Sequence, residues 1–198
     1  MRIRNWYYIV MFKNRALTTL TVINSLFSMA GLALVPIYAV FLEGIGATVF
    51  IISLLAALEL GSKLIGTFIL RFIGDGYKEK EYMIIISYLF RAVAWGSLCF
   101  VAAITPLFLI QILLGLGDAI GSPSFSAVFA AHLDKGKQIA EYSDYTLTKN
   151  LFGIIGTVGG GVIVTTFGFT YLFALMSFIA LFCAFYIFIQ PRKLLWLN

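Results

Sequence analysis

The chain has 198 residues, of which 61% are hydrophobic and only 12% charged, with mean hydropathy +0.99 and a formal net charge of +5. A soluble domain is roughly half apolar and about one quarter charged, so this composition excludes a water-soluble globule. The apolar runs do not alternate in segments of about 10 residues, as barrel strands do, so the chain reads as an α-helical integral membrane protein.

A spanning helix needs about 20 apolar residues. Six such spans are expected, at 16–41, 47–70, 82–104, 106–131, 146–167 and 170–190. The breaks between them fall at Glu43-Gly44 with Gly46, at Gly74-Asp75-Gly76, at Pro106, in the polar run from Asp134 to Asp144, and at Gly168; Pro191 ends the last span. The connections are short, so one transmembrane domain is expected over 16–190. A basic and aromatic cytoplasmic segment (1–15) precedes it and a cytoplasmic tail (191–198) follows.

Twelve of the fourteen basic residues fall before the first span, in the second and fourth loop regions or in the tail; the other two are Lys63 and Arg91. The first, third and fifth loops carry none. Lys and Arg mark cytoplasmic loops, so both termini are expected inside. This distribution explains the net charge without nucleic acid. Trp6, Tyr7, Tyr8 and Trp196 suit an inner interfacial belt, and Tyr38 and Tyr171 an outer one. The apolar run after Arg15 exceeds the h-region of a cleaved signal peptide, about 7–15 residues, and reads as a retained span. Cys99 and Cys183 both fall in apolar segments and read as reduced packing residues. His132 stands alone, which gives no support to a metal site or a His-based triad, and no cofactor motif is present.

The six spans divide into two triplets with matching features. The first span carries Gly31 and Pro36, and the fourth carries Gly115, Gly117, Gly121 and Pro123. Three spans per triplet force opposite orientations, so the pattern predicts two inverted three-helix repeats. Most of the glycines, including Gly66, Gly115, Gly117, Gly156 and Gly160, read as helix-packing positions, as does the small-xxx-small stretch from Ala92 to Gly96.

Four ionisable residues lie inside spans: Glu59, Lys63, Arg91 and Asp118. Each costs about 2.5–3.5 kcal/mol at a helix centre, so partners or water must be present. Glu59, Lys63 and Gly66 share one helical face, and Glu59 and Lys63 are in the favourable i, i+4 order. Gln111, Gly115, Asp118 and Ser122 form a polar stripe on the fourth span. The four charges sum to zero, which favours mutual pairing, with Arg91 set against Asp118 or Glu59. Two readings stay open: a structural cluster that fixes helix register, with Arg91 as the charge partner, and a cavity lining that binds solute or relays a proton. Glu59, Lys63 and Asp118, with Gln111 and Asn24 as weaker members, are the candidate pathway residues.

The stretch Gln111-Ile-Leu-Leu-Gly115-Leu-Gly117-Asp118-Ala-Ile-Gly121-Ser-Pro123, followed by Gly156-Thr-Val-Gly159-Gly160-Gly161, resembles the amino-terminal six-helix half of a major facilitator superfamily transporter. The resemblance covers nearly the whole chain in span number and loop pattern. Three slots depart from the family's motifs. Gln111 stands where Arg is usual, Thr157 where Pro is usual, and Leu70 where Asp is usual after Gly66 and before Arg71. The resemblance implies a secondary transporter of a small solute that works by alternating access, with a carboxylate available for proton coupling. It implies that the first and fourth helices line the cavity, which favours Asp118 over Arg91.

The family usually has twelve helices in two parallel halves. A homodimer, a separately encoded second half, or an inactive fragment are the corresponding expectations for six. The contrasting function is a membrane interaction subunit that moves nothing. An enzyme is not expected, because no nucleophile and base share a depth. The expected setting is a bacterial or archaeal cytoplasmic membrane. The sequence does not name a solute.

Overall fold

The computed structural model describes residues 14–76 and 79–190. The expected inner belt, most of the basic N-terminal segment and the tail lie outside the described residues. Among the described residues the secondary structure is helical. The α-helices are α1 (Arg15–Leu34), α2 (Tyr38–Gly44), α3 (Val49–Ile73), α4 (Lys80–Leu98), α5 (Thr105–Ala131), α6 (Gln138–Phe167) and α7 (Phe169–Ile189). A 3-10 turn at Gly74–Gly76 follows α3.

Five helices, α1, α3, α5, α6 and α7, are long and apolar enough to cross a membrane. The expectation of six spans is therefore met only in part. α4 carries Lys80, Glu81 and Arg91 within 19 residues, and these lower its apolarity. The first expected span, 16–41, is divided: α1 stops at Leu34 and the short α2 starts at Tyr38. The cause is Pro36, which has no N–H to donate and whose ring crowds the carbonyl four residues back. The polar run from Asp134 to Asp144, expected as a loop, is helical from Gln138 onward. Glu141 lies in the first turn of α6 and its carboxylate accepts the Asp134 N–H at 2.8 Å, a contact favoured by the helix N-terminus.

Helix ends are closed locally. The Asn14 side chain accepts the Ala16 N–H at 3.0 Å and donates to the His132 carbonyl at 3.2 Å, so one residue caps α1 and ties it to the end of α5. Pro106 sits in the first turn of α5, where its missing N–H costs nothing. Gly168 alone separates α6 from α7 at φ +89°, a conformation only glycine adopts readily.

α1 packs on α6 and α7, α5 packs on α3 and α4, and α4 packs on α7. Exchanging α1 with α5, α3 with α6 and α4 with α7 returns these same pairings; the contact of α6 with α7 across Gly168 has no counterpart of comparable extent between α3 and α4. Glycines set the close approaches. A Cβ at Gly160 would meet the Ala33 carbonyl, and one at Gly156 the Met29 carbonyl, so α6 lies backbone to backbone against α1. The Ser177 hydroxyl donates to the Ala92 carbonyl at 2.8 Å beside Gly96, which joins α7 to α4.

Two apolar clusters fill the interior. One, nearer the start of α3, includes Phe41, Leu55, Trp95, Leu107 and Phe173. The other, nearer the start of α1, includes Leu20, Ile84, Val128, Phe129 and Ile187. Within their apolar windows α1 and α5 are 44% buried, but α3 and α6 only 11% and 17%. α3 and α6 are therefore the outermost long helices of the bundle.

Candidate functional site

Asp118 follows two glycines that admit neighbouring helices. A Cβ at Gly115 would strike the Glu59 carbonyl and the Ser62 side chain of α3; one at Gly117 would lie 3.2 Å from Phe90 Cβ of α4. α3 and α4 thus approach α5 from two sides, and cations from both converge on one carboxylate. Lys63 Nζ of α3 lies 3.4 Å from Asp118 Oδ2. Arg91 of α4 donates to Asp118 Oδ1 through Nη2. The same Nη2 is 3.9 Å from Glu59 Oε1.

The four charges expected within spans therefore form one cluster. Its internal pairing differs from the helical i, i+4 expectation: Lys63 pairs across to Asp118 rather than along α3 to Glu59. The Arg91 side chain is the most enclosed, 15% exposed against 31% for Asp118 and Glu59 and 40% for Lys63. The guanidinium stands 5.6 Å from the Trp95 ring, and its buried Nε has no partner among the described residues.

Beside the cluster lies a cavity of about 540 Å³. Lys63 and Asp118 form part of its wall, with Ser28 of α1, Ser122 of α5, and Thr146, Lys149 and Asn150 of α6. Asn24 also lines it, and ties three helices together. Tyr88 of α4 donates to Asn24 Oδ1 at 3.2 Å, and Asn24 Nδ2 donates to the Tyr145 hydroxyl of α6 at 2.7 Å. Phe27 stacks on Tyr88 at 4.1 Å between centroids, so one wall is aromatic.

Gln111, another candidate, is placed elsewhere. It is 1% exposed, donates to the Tyr38 hydroxyl at 2.6 Å, and does not line this cavity. Tyr38, expected in an outer belt, instead turns inward to meet it. Glu59 and Arg91 belong to the charge cluster but are not among the residues of the cavity wall.

Sequence reasoning missed the contribution of α6. By sequence Lys149 groups with the basic loop regions, although it falls in the first turn of the expected span 146–167. The available signal was the polar series Tyr142, Thr146, Lys149 and Asn150, which follows one helical face. A smaller cavity, of about 240 Å³, lies between α3, α4 and α5 near the 3-10 turn, with Arg71 and Lys80 in its wall.

The family model of the Major Facilitator Superfamily matches residues 19–198, which includes every helix described except the first turn of α1. No curated protein matched the chain. The matched segment, the apolar helices and the polar interior agree in kind. The chain belongs to the major facilitator superfamily and is a multi-pass integral membrane transporter.

Proposed function

We propose that the protein is a secondary transporter of a small solute, and that Asp118 couples transport to proton movement. The observation that carries this reading is the convergence of Lys63 and Arg91 on Asp118 at the wall of a polar cavity. Protonation of Asp118 removes the charge that holds both cations. The contacts of α5 with α3 and α4 then weaken together. Reloading the carboxylate restores them, which links proton occupancy to the arrangement of three helices. Glu59 lies close enough to take over Arg91 when Asp118 is neutral.

In this reading α4 is the sixth membrane-crossing helix. The pairings that survive exchange of α1, α3 and α4 with α5, α6 and α7 support two inverted repeats. The distribution of Lys and Arg supports cytoplasmic termini, and a bacterial or archaeal cytoplasmic membrane is the setting. The thin coverage of α3 and α6 supports a second six-helix unit, in the first instance another copy of the chain. The two units would rock about a shared cavity.

The test is flux in proteoliposomes under an imposed pH gradient, screened over a solute panel. Asp118→Asn is expected to abolish pH-driven movement of any solute that the unaltered protein moves. Undiminished coupling would remove Asp118 from the proton path.

The open faces of α3 and α6 also suit an interaction subunit without transport of its own. Mass measurement in mild detergent separates the two. A strict monomer that moves no solute favours the subunit.

A further inference from the structure

The cavity wall carries an unbalanced positive charge. Glu59, Lys63, Arg91 and Asp118 cancel as a set, and both Asp118 oxygens are already engaged by cations. Lys149 is the remaining charged residue of the wall. It has no ion-pair partner among the described residues, and its side chain is half-buried. The acidic residues near the start of α6 do not compensate it. Glu141 accepts the Asp134 N–H, Asp134 pairs with Lys137 at 3.4 Å, the exposed Asp144 makes no ion pair with Lys149, and none of these lines the cavity.

Neutral polar groups share the wall with the ammonium. The Asn150 amide is its neighbour on α6 and the Ser28 and Ser122 hydroxyls stand in the same wall, while the Thr146 and Ser126 hydroxyls donate to the Tyr142 and Ser122 carbonyls. Asn24 and Ser87 add further polar groups, and part of the wall is aromatic, with Phe125 and Tyr145 rings 5.6 Å apart and Tyr142 and Tyr145 rings 5.8 Å apart. One unpaired cation, neutral polar groups and a partly aromatic wall describe a complement to a single anionic group on a compact body with an apolar face. A cationic solute would meet Lys149 with no free carboxylate to offset it.

We infer that the cavity takes small organic anions, carboxylates above all, with Lys149 as the residue that binds the anionic group. This rests on the reading of the cavity as the transporter's solute site, but it is tested by binding and stands or falls without flux. A lipid phosphate offers similar chemistry, so the test separates the two sources.

Thermal-shift titration of the purified full chain in mild detergent compares matched probes: benzoate, benzamide and benzylammonium, then hexanoate, hexanamide and hexylammonium. At least one carboxylate is expected to bind, and to bind more tightly than its amide and ammonium counterparts. Lys149→Gln should weaken that binding by about tenfold or more, the scale of one lost charge-assisted hydrogen bond. Lys149→Arg should retain it, which controls for folding, and so should loss of an exposed loop charge in Lys135→Gln. Equal or better binding of the ammonium probes overturns the inference, as does unchanged carboxylate binding in Lys149→Gln, or no response to any carboxylate. A response to dioctanoyl phosphatidylglycerol alone also overturns it, assigning Lys149 to a lipid headgroup. If carboxylates bind but proteoliposomes move nothing, the inference stands and the transport reading fails. If neutral solutes or cations are moved and carboxylates do not bind, the reverse holds.

Discussion

Asp118 is the residue on which most of the buried charge depends. It accepts from Arg91, whose side chain is 15% exposed, and from the more open Lys63. Removing one partner of an enclosed ion pair costs more than removing both, because the remaining charge is left unpaired. Asp118→Asn is therefore expected to lower stability by on the order of 3 kcal/mol. Glu59→Gln should cost less, since its contact with Arg91 is 3.9 Å long. Adding Arg91→Met to Asp118→Asn should recover part of the loss, with a coupling of about 1–3 kcal/mol. Melting in detergent of the two single variants and the double variant checks this; additive losses would show that the pair does not act as a unit. At this scale the sequence disclosed which residues are charged within spans, and that they sum to zero. It did not disclose the pairing. Within α3 the favourable neighbour of Lys63 is Glu59, but Gly115 lets α5 come close enough for Asp118 to replace it. That is a tertiary contact, invisible to spacing along one helix.

Helix positions were legible where breakers are strong, and misplaced where polar residues continue a helix. Pro36 and Gly168 mark real ends, though Pro36 also divides what hydropathy alone joins into one span. The start of α6 was placed eight residues late, because Lys, Asp and Glu read as loop while the backbone stays helical from Gln138. The late start put Lys149 in the first turn of the expected span, where a basic residue reads as part of the loop, whereas it lies eleven residues into α6. The glycines of α6 separate by their surroundings in a way that sequence does not show. Gly156 and Gly160 abut carbonyls of α1, whereas Gly159 and Gly161 have open space around the position of a Cβ. Gly160→Ala forces α1 and α6 apart and is expected to cost about 1–3 kcal/mol, the usual range for overpacking. Gly159→Ala adds a methyl to open space and relieves backbone entropy, so it should be neutral or stabilising by up to about 1 kcal/mol. Paired melting curves of the two variants check the contrast. Equal effects would mean that the α1–α6 contact does not limit stability.

For the molecule as a whole, hydropathy and charge placement give membrane residence and a helical fold, but they are silent on what covers α3 and α6. Both helices present their buried face inward and a broad apolar surface outward. On α3 the strip next to the cavity lysine is smooth (Ser53, Ala57, Leu60 and Leu64), while Phe68 and Phe72 lie further round, a division that suits a helix partner on one side and lipid on the other. On α6 the strip next to Asn150 contains Leu147, Ile154, Val158 and Gly161. If two copies pair about an axis along the membrane normal, as proposed, α3 of one copy meets α6 of the other twice. Leu60 lies eleven residues from the start of α3 and Ile154 thirteen from the end of α6. At 1.5 Å per residue these positions differ in depth by about 3 Å. Both side chains are well exposed, 66% and 64%. With Cys99 and Cys183 replaced, co-expressed Leu60→Cys and Ile154→Cys chains are expected to cross-link in membranes into a species of twice the chain mass. Gly61→Cys paired with Ile155→Cys, at matching depth but about 100° round each helix, should not. Cross-linking of both pairs alike would indicate random collision, and cross-linking of neither would exclude this arrangement. Replacing Leu60 and Ile154 together by bulky Trp should then dissociate the dimer and stop flux while leaving benzoate-type binding at Lys149 weaker but measurable, because that lysine and its donors lie within one chain.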